Sequence, residues 1–164
     1  MVLLIIADDF TGALDTGVQF AAHGIKTRVV VGADAALTHQ DADVLVVDTE
    51  TRHLPAAQAY AAVAGLVQRA KEAGVTYLYK KTDSALRGNV GAELAALLET
   101  AGGQCVGVIT QSKDAPDPRT FIGEGKVAEA QLYCENTGAD MVIFDNDLSP
   151  SQQRVLTELL GVQV

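Results

Sequence analysis

Three short polar runs in this chain carry side chains suited to holding a small hydroxylated anion. Asp8-Asp9-Phe10-Thr11-Gly12 offers two adjacent carboxylates and a hydroxyl. Carboxylates accept hydrogen bonds from substrate hydroxyls, and a pair of them can also hold a hard cation. Thr49-Glu50-Thr51-Arg52 and Lys80-Lys81-Thr82-Asp83-Ser84-Ala85-Leu86-Arg87-Gly88-Asn89 add guanidinium groups, amines and further hydroxyls. A guanidinium grips a carboxylate with two parallel hydrogen bonds, whereas an ammonium contributes charge without that planar match. Asp83 and Ser84 suit hydroxyl groups, and Gly88 lets a ligand approach the backbone. Each run also has a plainer reading as a solvated turn, or as a helix cap for the first. Their recurrence is more telling than any one of them.

Each run follows a short apolar segment and precedes an amphipathic one. Strands are expected at 2–6, 27–31, 44–47, 76–79, 106–109, 141–144 and 162–164. Helices are expected at 12–23, 56–73, 90–101, 125–136 and 150–160, with glycines placed to stop them. Ser149, Pro150 and Gln152 form a capping signature for the last helix. Strand–helix alternation predicts right-handed crossovers and a mainly parallel sheet. The expected fold is therefore a three-layer α/β/α domain over residues 1–164, with five to seven strands, flavodoxin-like or Rossmann-like. The order 2-1-3-4-5 is preferred, because it sets the first, third and fourth strands side by side. Ligands of such sheets sit beyond the carboxyl ends of the strands, where all three polar runs lie.

Composition narrows the partners. A formal net charge of -9 without a basic stripe disfavours nucleic acid. No apolar stretch reaches transmembrane length, and the run at 2–7 lacks the basic flank of a signal peptide, so a membrane partner is not expected and a cytoplasmic setting is. Cys105 and Cys134 match neither a disulfide framework nor a metal motif, and read as reduced, partly buried thiols. No metal site and no cofactor is expected, and oligomeric state is not fixed by the sequence.

The first 98 residues carry a resemblance. Ala7-Asp8-Asp9-Phe10-Thr11-Gly12-Ala13, Asp48-Thr49-Glu50-Thr51-Arg52, and Lys80-Lys81-Thr82-Asp83-Ser84 with Leu86-Arg87-Gly88-Asn89 resemble three signatures of the four-carbon acid sugar kinases, in order. In that family an N-terminal domain binds the sugar acid and a separate C-terminal domain binds ATP. The resemblance implies sugar-acid contacts from Asp8, Asp9, Arg52, Asp83, Ser84, Arg87 and Asn89.

Residues 101–164 resemble something else. Val108-Ile109-Thr110-Gln111, the run from Pro116 to Val127, and Leu148-Ser149-Pro150-Ser151-Gln152-Gln153-Arg154 are similar to the N-terminal domain of HflX-type, ribosome-associated GTPases. That likeness also takes in Asp145. Gly123-Glu124-Gly125-Lys126 is not a phosphate loop, since a P-loop needs four residues between its glycines and Ser or Thr after the lysine. The two resemblances meet within the expected helix 90–101, whose apolar face would be Leu94, Leu97 and Leu98. The sequence thus reads as an engineered chimera with no catalytic residues, no nucleotide site and no natural function. Its one expected ligand is a small sugar acid, bound weakly. The alternatives are a sugar-acid-binding fragment of such a kinase, or a ribosome-interacting module.

Overall fold

The computed structural model describes residues 1–37, 41–112, 115–144 and 146–164. Asp145 lies outside the described residues. The chain divides into two compact units, Met1–Gln104 and Cys105–Val164.

The first unit is built on four parallel strands, β1 (Leu3–Ala7), β2 (Thr27–Val31), β3 (Val44–Asp48) and β4 (Tyr77–Lys81), in the order β2-β3-β1-β4. The first, third and fourth strands are contiguous, as the preferred order required, but β1 rather than β3 is in the middle. The cause lies in the residues. β1 is apolar throughout and β3 is apolar up to its closing aspartate, and both are almost entirely buried, which suits strands covered on both faces. β2 and β4 carry Thr27, Arg28, Lys80 and Lys81 and occupy the edges, where charged side chains also discourage unwanted pairing.

Register places Ala7 beside Asp48 on one flank and beside Lys81 on the other. The three polar runs therefore leave the sheet at the same level. Alternation divides the buried side chains between two layers. Leu4, Ile6, Leu45 and Val47 pack with Val63, Leu66, Val67 and Ala70 of α2 (Ala56–Glu72) and with Ala96 of α3 (Val90–Ala101). Ile5, Ala7, Val44 and Val46 form the opposite layer with Ala13 of α1 (Phe10–Ala22).

Helix α3 corrects one expectation. Its buried residues are Glu93 and Ala96, with Leu97 half-buried against the core, while Leu94 and Leu98 are exposed. The helix is turned so that the small Ala96 meets the core and Glu93 reaches a buried lysine.

The second unit has its own core. Helices α4 (Glu124–Thr137) and α5 (Pro150–Leu160) bury Val127, Ala130, Leu156 and Leu160 against Ile109, Ile122, Val142, Phe144, Leu148, Val162 and Val164. Phe121 and Phe144 meet edge to face at 6.5 Å. Ser149 caps α5 through the full reciprocal box with Gln152. The strands expected at 106–109, 141–144 and 162–164 do not form. Among the described residues only single bridges occur there, Met141 with Gln163 in parallel and Asp117 with Phe121. The sheet therefore has four strands rather than five to seven. Lys126 pairs with Glu129 at 2.7 Å in the first turns of α4. Both cysteines are free, with Cys134 buried and Cys105 exposed.

Candidate functional site

At the carboxyl edge of the first unit's sheet, one guanidinium joins all three polar runs. Arg52 follows β3. Its Nε and Nη2 donate to the two Asp8 carboxylate oxygens at 2.8 and 3.2 Å, and its Nη1 donates to Asp9 at 2.7 Å. Nη2 also lies 3.2 Å from an Asp83 oxygen. The Asp8 and Asp83 side chains are only 4% and 6% exposed, and Arg52 14%, so these pairs are largely removed from water. Hydrogen bonds to the Asp8 carboxylate are the main reason that the Arg52 guanidinium is held above its ordinary pKa.

Asp9 serves two roles at once. One oxygen meets Arg52, and the other accepts the Gly12 amide at 2.9 Å as the N-cap of α1. A Cβ on Gly12 would come within 2.8 Å of that oxygen, so a larger residue there would have to displace the Asp9 carboxylate.

Asp83 is shared. Arg87 donates to both of its oxygens at 2.8 and 2.7 Å, and the Ala85 and Arg87 amides add 3.0 and 3.1 Å bonds. The Arg87 side chain, led by its hydrogen bonds, holds the Asp83 carboxyl well below the usual carboxylate range. Asp83 in turn raises Arg87. Arg87 is 66% exposed, so its guanidinium faces solvent while its partner does not. Asp48, at the end of β3, is shifted upward, first by burial.

The loop after β4 closes directly over Arg52. Gly88 has φ +82°, and a Cβ there would stand 3.2 Å from the Arg52 carbonyl oxygen and from its Cγ. Leu86 and Glu50 also adopt positive φ, 56° and 52°, so both loops flanking Arg52 hold non-glycine residues in the left-handed region. Asn89 is half-buried and commits its amide to the backbone. Its Nδ2 donates to the Thr51 and Leu54 carbonyls at 2.9 and 2.8 Å, pinning the start of α3 to the Arg52 loop. Ser84 is exposed in the turn beyond Asp83.

Asp8, Asp9, Arg52, Asp83 and Arg87 are thus brought into one cluster, with Asn89 bracing it. Thr49 and Thr51 lie in the polar run that ends at Arg52, whereas nothing in the sequence singled out Glu93. Thr51 and Glu93 are fully buried and hydrogen-bonded to each other, and Glu93 pairs with Lys80. The available signal was a glutamate in the otherwise apolar first two turns of α3, which needs a partner if that face is buried. Among the described residues every buried side-chain nitrogen and oxygen has a hydrogen-bond partner, and no group of three acidic, histidine or cysteine side chains is arranged to hold a metal. No described helix is long and apolar enough to cross a membrane.

The sequence model of a family described as a sugar-binding N-terminal domain matches residues 3–145. The chain belongs to this family. It is 40% identical over 152 residues to a D-threonate kinase of Salmonella typhimurium, covering 79% of this chain and 36% of that kinase. This chain thus spans about a third of the length of that relative. A crystal structure of a domain of unknown function from Bordetella bronchiseptica, with bound citrate and as a domain-swapped dimer, superposes with a TM-score of 0.58 at 44% identity. That match covers 63% of this chain and 27% of the other. A shorter likeness links the chain to the GTPase HflX of Escherichia coli, 43% identical over 72 residues, or 44% of this chain and 17% of the GTPase.

These matches correct the reading of the chain as an engineered chimera without natural function. The sugar-binding family match runs from residue 3 to residue 145, through helix α3, where a junction between two parents was expected. The kinase likeness likewise extends over most of the chain. The HflX likeness is present as a partial one, over 44% of this chain.

Proposed function

We propose that the cluster within residues 1–98 binds a four-carbon sugar acid, as the substrate half of a sugar-acid kinase site. The observation that carries this is the Arg52 guanidinium joining Asp8, Asp9 and Asp83 from three neighbouring strand ends. In this assignment Asp9 and Asp8 accept hydrogen bonds from sugar hydroxyls, and Arg52 holds their carboxylates at a fixed spacing. Arg87, the most exposed cation of the cluster, takes the carboxylate of the acid. The Ser84 hydroxyl adds a contact at the open side. The D-threonate kinase relative and the citrate held by the Bordetella relative support a small hydroxylated carboxylate as ligand. Phosphoryl transfer needs phosphates, metal and acceptor positioned together. We assign the nucleotide to parts of the relatives outside the matched stretch, so residues 1–98 supply the acid-binding half of the site.

Titration calorimetry tests the assignment with D-threonate, D-erythronate and the neutral polyol threitol. Saturable heat is expected for the acids and not for threitol, with Arg87→Ala weakening the acids selectively. A Kd of ~1 mM corresponds to only about -4 kcal/mol, so weak binding is still measurable. No saturable heat from either acid at low millimolar concentration would reject the assignment.

The HflX likeness favours a second reading for the Cys105–Val164 unit, as a ribosome-contacting module. Co-sedimentation with large ribosomal subunits is its test, and a chain left wholly in the supernatant rejects it.

A further inference from the structure

Beneath the Arg52 cluster lies a second polar network, enclosed on all sides. Lys80 of β4 and Glu93 of α3 form an ion pair at 2.8 Å, each side chain 2% exposed. Lys80 Nζ also donates to the Lys81 carbonyl at 2.9 Å. The second Glu93 oxygen is hydrogen-bonded to the Thr51 hydroxyl. Thr51 Oγ1 lies 2.7 Å from Thr49 Oγ1, which donates to the Ala7 carbonyl at 2.8 Å. Close polar contacts therefore run from the end of β4, through α3 and the β3 loop, to the end of β1.

Its anchoring points are informative. Ala7 immediately precedes Asp8, Thr51 immediately precedes Arg52, and Lys81 lies two residues before Asp83. The network ties down the backbone next to each charged group that Arg52 must bring together. Thr51 is held from two directions, through its hydroxyl by Glu93 and through its carbonyl by Asn89. A guanidinium on a long flexible stem can satisfy Asp8 and Asp9 together only if its Cα is placed within a narrow range. A buried ion pair is a poor source of net stability, because desolvation offsets the attraction, and apolar replacements are often tolerated. Its geometric effect is the one left to explain.

We propose that Glu93 is a positioning residue of the acid-binding site: acting through Thr51, and itself held by Lys80, it fixes the backbone from which Arg52 aligns Asp8, Asp9 and Asp83. The consequence for ligand affinity rests on the sugar-acid assignment above, whereas the consequence for Arg52 does not.

The experiment compares the whole chain with Thr51→Val, which removes the hydroxyl at constant shape, and Thr51→Ser, which keeps it. A second comparison uses Lys80→Met/Glu93→Leu. The ligand-free measurement is the exchange rate of the Arg52 Nε proton by nitrogen-15 NMR, since that proton is bonded to Asp8. Thr51→Val and the double variant should speed its exchange at least tenfold while sheet amides stay protected, and Thr51→Ser should restore the slow rate. The affinity for D-threonate should fall about tenfold in Thr51→Val, equivalent to ~1.4 kcal/mol, and recover in Thr51→Ser. Unchanged Arg52 exchange in Thr51→Val, or failure of Thr51→Ser to rescue it, would overturn the proposal. If the unmodified chain binds no D-threonate, the substrate assignment falls, and the Arg52 signal still decides the positioning role. Should the double variant fail to fold, the threonine pair decides it alone.

Discussion

Removing the Arg52 guanidinium should expose how much of the first unit's stability depends on its bridged carboxylates. In Arg52→Met the stem volume stays, but Asp8 loses both of its guanidinium bonds at a side chain only 4% exposed. Asp83 keeps Arg87 and two backbone amides, and Asp9 keeps the Gly12 amide, so Asp8 bears most of the cost. Breaking a buried pair from one side costs ~3–5 kcal/mol, because an uncompensated charge is left behind. The site is open toward solvent at Arg87 and Asp9, which places the cost at the lower end, ~3 kcal/mol. With an m-value of ~2 kcal/mol per M, the urea midpoint should drop by ~1.5 M. Tyrosine fluorescence suits the assay, since three of the four tyrosines, Tyr60, Tyr77 and Tyr79, lie in this unit and the chain has no tryptophan. Adding Asp8→Asn to Arg52→Met should recover part of the loss, because the orphaned charge is what costs. A midpoint within ~0.2 M of the parent in Arg52→Met, or a further loss in the double variant, would refute the reasoning.

Three further outcomes follow from the same geometry. Gly88→Ala should destabilise by about 1–2 kcal/mol, since it strains a φ of +82° and presses on Arg52, whereas Gly91→Ala in the open first turn of α3 should be neutral or stabilising by a few tenths; urea midpoints separate them. Asp83 and Asp48 shift in opposite directions, so their pH effects oppose. The folded-state pKa of Asp83 lies below its unfolded value, so its contribution is complete above pH ~4 and is lost as pH falls below that, and Asp83→Asn should flatten the acid limb of a stability curve from pH 3 to 7. The raised Asp48 contributes most below pH ~4 and less as pH rises through its folded value, so Asp48→Asn should become progressively more favourable toward pH 7. In the second unit, Ser149→Ala removes the acceptor of the Gln152 amide and should cost ~1 kcal/mol, read as faster exchange of that amide.

The features legible in the sequence are those written locally. Helix α3 spans the residues anticipated for it, and the Ser149 box forms as its residues dictate. The three polar runs could be placed at one sheet edge before any strand order was known, because parallel strands must end on the same side. Strand order was less legible, since pairing depends on which strands can be flanked on both edges; the near-uniform apolar composition of Leu3–Ala7 and Val44–Asp48 was the available clue. The second unit shows the reverse failure. Apolar runs at 106–109, 141–144 and 162–164 carry strand-like composition, yet their side chains serve a core around α4 and α5 without a ladder.

The site shows most clearly why residue types do not fix roles. Arg52, Asp83 and Asn89 were each candidates to touch a ligand, yet all three are engaged within the protein: Arg52 reaches Asp8, Asp9 and Asp83, Asp83 is gripped by Arg87, and Asn89 reaches two carbonyls. Three carboxylates so close would repel one another, and a single guanidinium among them is what allows all three loops to end together. The same placement leaves Arg87, the less buried cation and among the described residues paired with Asp83 alone, as the group with most freedom to engage an incoming anion. In the proposed assignment a ligand carboxylate would compete with Asp83 for that guanidinium, and Asp83 would still have Arg52 Nη2 at 3.2 Å, so the arginine that holds the cluster would also free the other.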